Sequence, residues 1–96
     1  MNKLIKVSAN WCGPCKMLEA KLDTIDSEFV RSLKTYDIDT DEGKKYAADH
    51  KIKSIPVLIA EDSFGNEIDR IPPSSQPLTL TALRNFVYKH ETVVSE

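Results

Sequence analysis

An α/β domain is the fold class the sequence predicts, with elements in the order βαβ, α, ββα. Three observations predict it. A cysteine pair, Cys12 and Cys15, follows a short apolar run and opens a segment of helical periodicity. Downstream, short β-rich runs alternate with apolar stripes at helical spacing. Turn residues separate these segments at Ser63-Phe64-Gly65-Asn66 and at Pro72-Pro73-Ser74-Ser75-Gln76-Pro77. The 96 residues make one domain, 1–96, and a chain of this size buries about 60–65% of its unfolded surface.

The first strand is expected over Lys3–Ser8, where Leu4, Ile5 and Val7 supply the apolar content. A helix is expected over residues 13–30, because Leu18, Leu22, Ile25 and Phe29 form one apolar stripe with Lys16, Glu19, Lys21, Asp23 and Asp26 on the wet side. That stripe reads as core packing. Residues 34–39 read as the second strand, parallel to the first through a right-handed crossover. A short helix over residues 41–50 begins with acidic residues and has Lys51 beyond its end, with Tyr46 and Ala47 toward the sheet. Residues 56–61 and Glu67–Ile71 read as a hairpin of strands. The last helix begins near Thr79, its expected N-cap, and points Leu80, Leu83, Phe86 and Val87 inward. Residues 91–96 read as a frayed tail.

The chemistry concentrates in Trp11-Cys12-Gly13-Pro14-Cys15-Lys16, which holds both cysteines of the chain. A thiolate is the reactive form of cysteine, and a helix N-terminus stabilises it through unpaired N–H groups and the positive end of the dipole. Thiols so placed have pKa values of about 3.5–7.5, against about 8.5 for a free cysteine. Pro14 falls in the first helical turn, where its missing N–H does no harm, and Gly13 leaves the approach to Cys12 open. A three-residue separation puts the two sulfurs within disulfide reach across one turn. Such a bond closes a very short loop and constrains the unfolded chain little, so its value is reactive and not structural. A metal site is the competing reading, since Cys12, Cys15, His50 and His90 make a Cys₂His₂ set by count. The two histidines are far apart, whereas such sites space them by about 3–5 residues, and no second C-x-x-C exists; no metal is expected. His50 and His90 then read as surface or helix-end residues.

The hexapeptide resembles the active site of the thioredoxin family. Ser54-Ile55-Pro56-Val57 resembles the Ile–cis-Pro element that faces the cysteine pair in that family. The likeness runs over about residues 3–90, with the hexapeptide its specific part and the Ile-Pro pair weak alone. It implies a minimal thioredoxin-like fold of βαβ-α-ββα form, a four-stranded mixed sheet flanked by about three helices. It also implies a protein-disulfide oxidoreductase. In that reading Cys12 attacks with an exposed sulfur, the more buried Cys15 resolves the mixed disulfide, and Trp11 is an exposed aromatic that meets the partner protein. Ile55 and a cis Pro56 would present backbone to an extended substrate segment. No dissociable cofactor is implied, because the electrons reside on the Cys12–Cys15 sulfurs. Protein disulfides are the implied substrates and a thioredoxin-reductase-like flavoprotein the implied source of electrons.

The sequence departs from the family at several positions. Thioredoxins carry a buried acid six residues before the first active-site cysteine, and Lys6 stands there; the acid's lysine partner aligns with Thr35. Lys6 either stays charged near Cys15 and favours its thiolate or snorkels to the surface. Ile71-Pro72-Pro73 replaces an expected glycine, and Val57 follows Pro56 where thioredoxins often have threonine. Glutaredoxins carry a Gly-Gly–acid element for glutathione, and no Gly-Gly occurs here. A glutaredoxin-like dithiol protein stays open as an alternative. So does a binding or scaffold module using an apolar patch around Trp11, Ile55 and Ile71.

Net charge and patterning narrow the partners. The formal charge is −2 and the 13 basic residues are scattered, which argues against nucleic acid. The longest uninterrupted aliphatic stretch, Val57 to Ala60, is far too short to cross a bilayer. Met1 to Val7 is interrupted by Lys3 and Lys6 and does not resemble a signal peptide. A monomer in the cytoplasm, acting in the reducing direction, is the expectation.

Overall fold

A computed structural model describes residues 2–71 and 79–91. The elements are β1 (Lys3–Ser8), α1 (Gly13–Leu22), α2 (Glu28–Arg31), β2 (Lys34–Asp37), α3 (Asp41–Asp49), β3 (Val57–Glu61), β4 (Glu67–Ile71) and α4 (Leu80–His90). The four strands form one mixed sheet in the order β2-β1-β3-β4. Strands β1 and β2 are parallel, while β1/β3 and β3/β4 are antiparallel. Two cores flank the sheet. Leu4, Leu58 and Ala60 pack under α1, α2 and α4 through Leu18, Leu22, Phe29, Leu83 and Val87. Ile5, Val7, Val57 and Ile59 face the other way, toward Tyr36, Tyr46 and Ile52. Both faces of β1 and β3 are thus covered; β3 is apolar from Val57 to Ala60, and β1 is buried from Leu4 to Ser8 with Lys6 and Ser8 as its polar members.

The predicted helix over residues 13–30 is two helices, which raises the number from about three to four. Asp26 and Ser27 favour caps and turns over helix, and the β-branched Thr24 and Ile25 lose side-chain freedom in one. Thr24 turns back through its amide and hydroxyl onto the Lys21 carbonyl, and Ile25 bonds Leu22. Ser27 is extended at the start of α2. The apolar stripe survives the break, because Ile25 and Phe29 are both buried. Strand β2 stops at Asp37, two residues short of expectation, because the Asp37 carboxylate accepts the Asp39 amide in a local turn. Pro56 lies just outside β3. The Thr79 N-cap is as expected, its hydroxyl accepting from the Ala82 amide. Glu91, expected to fray, instead accepts a hydrogen bond from the Ser27 hydroxyl at 2.9 Å; residues 92–96 and the 72–77 loop lie outside the described residues.

Both histidines stand at helix ends, as expected, but neither is an idle surface group. A bulge between Ala60 and Glu61 shifts the register so that Ala60 pairs with Asp69 and Glu61 with Glu67. Two acids on one strand therefore serve opposite faces of the sheet. His50, at the end of α3, reaches Glu67 at 2.8 Å and stacks on Tyr46, which stacks on Tyr36. His90, at the end of α4, reaches Asp69 at 2.8 Å and is buried against Phe86. The edge strand is pinned to a helix on each side.

Two predictions follow from these contacts. Hydrogen bonding by His90 holds the Asp69 carboxyl below its usual range, with help from the Arg70 amide and the charges of His90 and Lys89. A depressed folded value means stability that is complete above the unfolded pKa of about 3.9 and is lost as pH falls through the folded value. Asp69→Asn should cost about 1 kcal/mol at pH 7, given its partial exposure, and the cost should fade on acidification. Urea unfolding at pH 7 and pH 3 checks this, and a cost equal at both would refute it. Gly43 in α3 has no room for a side chain: a Cβ there would lie 1.7 Å from the Asp37 carbonyl oxygen. That oxygen is itself fixed by the amide and hydroxyl of Thr40. Gly43→Ala should lose at least about 2 kcal/mol, although helix propensity alone would gain about 1 kcal/mol. A raised urea midpoint would show that α3 can move away.

Candidate active site

The site forms where β1 hands the chain to α1. Ala9 follows the strand directly, and its carbonyl accepts the Cys12 amide at 3.2 Å. Cys12 is extended and caps the helix, its sulfur accepting the Cys15 amide at 3.1 Å. A cysteine thus fills the place that Ser, Thr, Asp or Asn usually takes at a helix start. Pro14 sits in the first turn, and a Cβ on Gly13 would meet nothing within 4 Å, so this side of Cys12 is open. Cys12 and Cys15 are joined as a disulfide with Cα atoms 5.2 Å apart.

The expected exposure of Cys12 is corrected. In the disulfide form Cys12 is 5% and Cys15 1% exposed. Both pack with Ala9 and with the half-buried Ile38 and Ile55, which cover the sulfurs. Trp11 is exposed, at 67%, as expected. Its indole N–H donates to the Asp39 carboxylate at 2.9 Å, a partner that no spacing in the sequence signals. The Ile55–Pro56 peptide bond is cis, as the resemblance implied. Ile71 does not join Ile55 and Trp11 in one patch. It packs toward the α1/α4 core, whereas Ile55 packs beside the cysteines.

Lys6 does not snorkel to bulk water. It is 6% exposed, on the β1 face beneath α1, with Thr35 and Leu58 as its Cα partners on the flanking strands. Its ammonium forms an ion pair with the Glu19 carboxylate of α1. Among the described residues no group of three or more His, Cys, Asp or Glu is placed to hold a metal ion. None of the described helices is long and apolar enough to cross a membrane.

A redox-competent dithiol at a helix start, on a β-α-β sheet with a cis proline beside it, defines a thiol–disulfide exchange protein. The Thioredoxin family model matches residues 1–87, and the chain belongs to the thioredoxin family. It is 35% identical to a thioredoxin of Porphyra purpurea over 82 residues, covering 85% of this chain and 76% of that one. A thioredoxin of Bacillus subtilis is 43% identical over 51 residues, 53% of this chain and 49% of that one. Among solved structures, thioredoxin O2 from Arabidopsis thaliana in its oxidised state superposes with a TM-score of 0.74 at 15% identity, covering 96% of this chain and 76% of that one. A mutant thioredoxin from Halobacterium salinarum gives 0.73 at 22%, over 98% and 78%; these two likenesses speak to the fold. The chain is accordingly a protein-disulfide oxidoreductase of the dithiol–disulfide type, in a family that works through a redox-active disulfide without a cofactor.

Asp39→Ala releases the indole of Trp11. Time-resolved anisotropy of this single tryptophan should then show faster local motion in the variant; an unchanged decay would mean that the hydrogen bond does not hold the ring.

Proposed function

We propose that this chain, as a single domain over 1–96, reduces disulfides in other proteins, with Cys12 as nucleophile and Cys15 as resolving thiol. One observation carries the reading: Cys12 caps α1 with its sulfur while Cys15, one turn on, lies almost fully buried beside it. The Cys12 sulfur receives an N–H at the positive end of a helix dipole, and that favours thiolate at Cys12 in the reduced protein. Cys12 attacks one sulfur of the substrate, a Cys12–substrate disulfide forms, and the substrate's other sulfur leaves as thiolate and takes a proton. Cys15 then attacks the Cys12 sulfur, the mixed disulfide breaks, and the second substrate thiol departs. Two electrons pass to the substrate, and the protein ends as the Cys12–Cys15 disulfide. The cap bond that the Cys12 sulfur receives from the Cys15 amide supports this order of attack.

Trp11, exposed beside Cys12, and Ile55 with Pro56 frame the substrate segment, while Gly13 and Pro14 leave its path clear. A thioredoxin-reductase-like flavoprotein returns the electrons, and the protein acts as a cytoplasmic monomer without nucleic-acid or membrane partners; family membership supports disulfide substrates and a reductase in general, and the scattered charge supports the absence of nucleic acid.

Insulin reduction by dithiothreitol tests the proposal. The wild type should accelerate precipitation of the reduced chains, Cys12→Ser should fall to the uncatalysed rate, and Cys15→Ser should accumulate a mixed disulfide visible by mass spectrometry. Undiminished function in Cys12→Ser would favour a scaffold role. A potential at or below about −230 mV in a dithiothreitol redox buffer agrees with a reductant, whereas about −120 to −180 mV would mark an oxidant or isomerase.

A further inference from the structure

The charged pair beneath α1 has no part in the exchange as described so far. Lys6 is buried in β1, opposite Leu58 and on the face that Leu4 turns to the core with Leu18 and Leu22. An ammonium is costly to bury unless paired, and a buried ion pair often stabilises no better than apolar residues of like volume. Stability alone therefore does not call for Lys6. Its partner Glu19 stands four residues after Cys15 on α1, on the same helical face. Lys6 and Glu19 thus lie one turn further along the helix from the buried sulfur.

That sulfur is in an unfavourable place to ionise. The side chains packed with Cys15 are Ala9, Cys12, Ile38 and Ile55, and apolar surroundings disfavour a thiolate. The elements that meet at the site carry several charges: Lys16 and Glu19 on α1, Lys6 on β1, Asp37 at the end of β2, Asp39 after it and Lys53 before Pro56. Lys16, Asp39 and Lys53 are exposed and screened by water, and Asp39 is engaged with Trp11. Asp37 is committed to the Asp39 amide. Lys6 is the buried cation of the set.

We propose that Lys6, anchored by Glu19, is a positioning residue that stabilises the Cys15 thiolate in the resolving step. The inference rests on the reading above in which Cys15 resolves. Cys15 loses its proton to water, its thiolate bonds to the Cys12 sulfur, the Cys12–substrate bond breaks, and the substrate sulfur takes up a proton. Lys6 keeps its charge throughout. Glu19 partly cancels the field of Lys6, so the two residues act on Cys15 with opposite sign.

The experiment is a ¹³Cβ titration of both cysteines in the reduced protein, for the wild type, Lys6→Met and Glu19→Gln. Lys6→Met should raise the pKa of Cys15 by about one unit and slow single-turnover resolution at neutral pH about tenfold. It should leave formation of the mixed disulfide by Cys12 little changed. Glu19→Gln, at a half-exposed position that should tolerate substitution, should lower the Cys15 pKa. A purely structural pair would lower the melting temperature of both variants without these opposite shifts. Shifts of the same sign, or none, overturn the proposal. Failure of Cys15→Ser to trap a mixed disulfide would instead overturn the resolving role of Cys15, so the two failures are distinguishable.

Discussion

Burial of β1 on both faces is the constraint on which the rest depends. From Leu4 to Ser8 every residue of the strand is buried. Parallel pairing to β2 and antiparallel pairing to β3 satisfy its backbone, and two separate cores satisfy its side chains. A strand held in this way ends at a fixed point, and the chain leaves it only at Ala9. The Ala9 carbonyl then takes the Cys12 amide, so the first cysteine sits at a helix start whose position the central strand sets. Pre-organisation of this kind keeps reacting groups in place without a cost at the moment of reaction.

The edges of the sheet are managed differently. Strand β4 is an edge and is only partly buried, a position open to unwanted pairing. Its defence is polar. The bulge sends Glu67 to one face and Asp69 to the other, and a helix-end histidine meets each. Arg70 closes the first of these clusters by donating to Glu67 and to the His50 carbonyl. The Glu67 carboxyl is correspondingly held below its usual range, chiefly by Arg70 and then by His50. On the same side Tyr46 donates to the buried Glu61 at 2.6 Å, and burial together with that bond pushes its hydroxyl far above the ordinary range for tyrosine. The face away from α1 is thus tied by a stack of aromatic rings ending in charge pairs.

The strands and the site were largely legible in the sequence, because short β-rich apolar runs and a cysteine pair before a helical stripe are local signals. Four strands, the Thr79 cap and the turn at Ser63-Phe64-Gly65-Asn66 all followed from residues close together in the chain. What was not legible is long-range. The partners of His50 and His90 lie on β4, and a bulge that changes which face an acid serves leaves no mark in Glu67-Ile68-Asp69. Asp39 meets Trp11 only because β2 ends beside β1. The break of the long helix was local in origin, but the apolar stripe continues through Ile25 and Phe29 and concealed it. The exposure expected for Cys12 rested on its place at a helix start, whereas Ile38 and Ile55, brought in from distant parts of the chain, cover the pair.

Lys6 shows how a sequence departure acquires meaning once its surroundings are known. In the sequence a lysine among Leu4, Ile5 and Val7 can be a solvated interruption of a strand or a buried charge. The fold decides between them, since β1 has no solvated face and α1 lies over the side that Lys6 shares with Leu4. A cation there needs an anion within reach of its stem, and the residue that α1 offers at that depth is Glu19. The same helical turn that brings Cys15 to Cys12 places Glu19 on the Cys15 face. Helix periodicity couples the dithiol to the ion pair, so removing the charge at position 6 alters the electrostatics felt by the buried sulfur as well as the packing of the core.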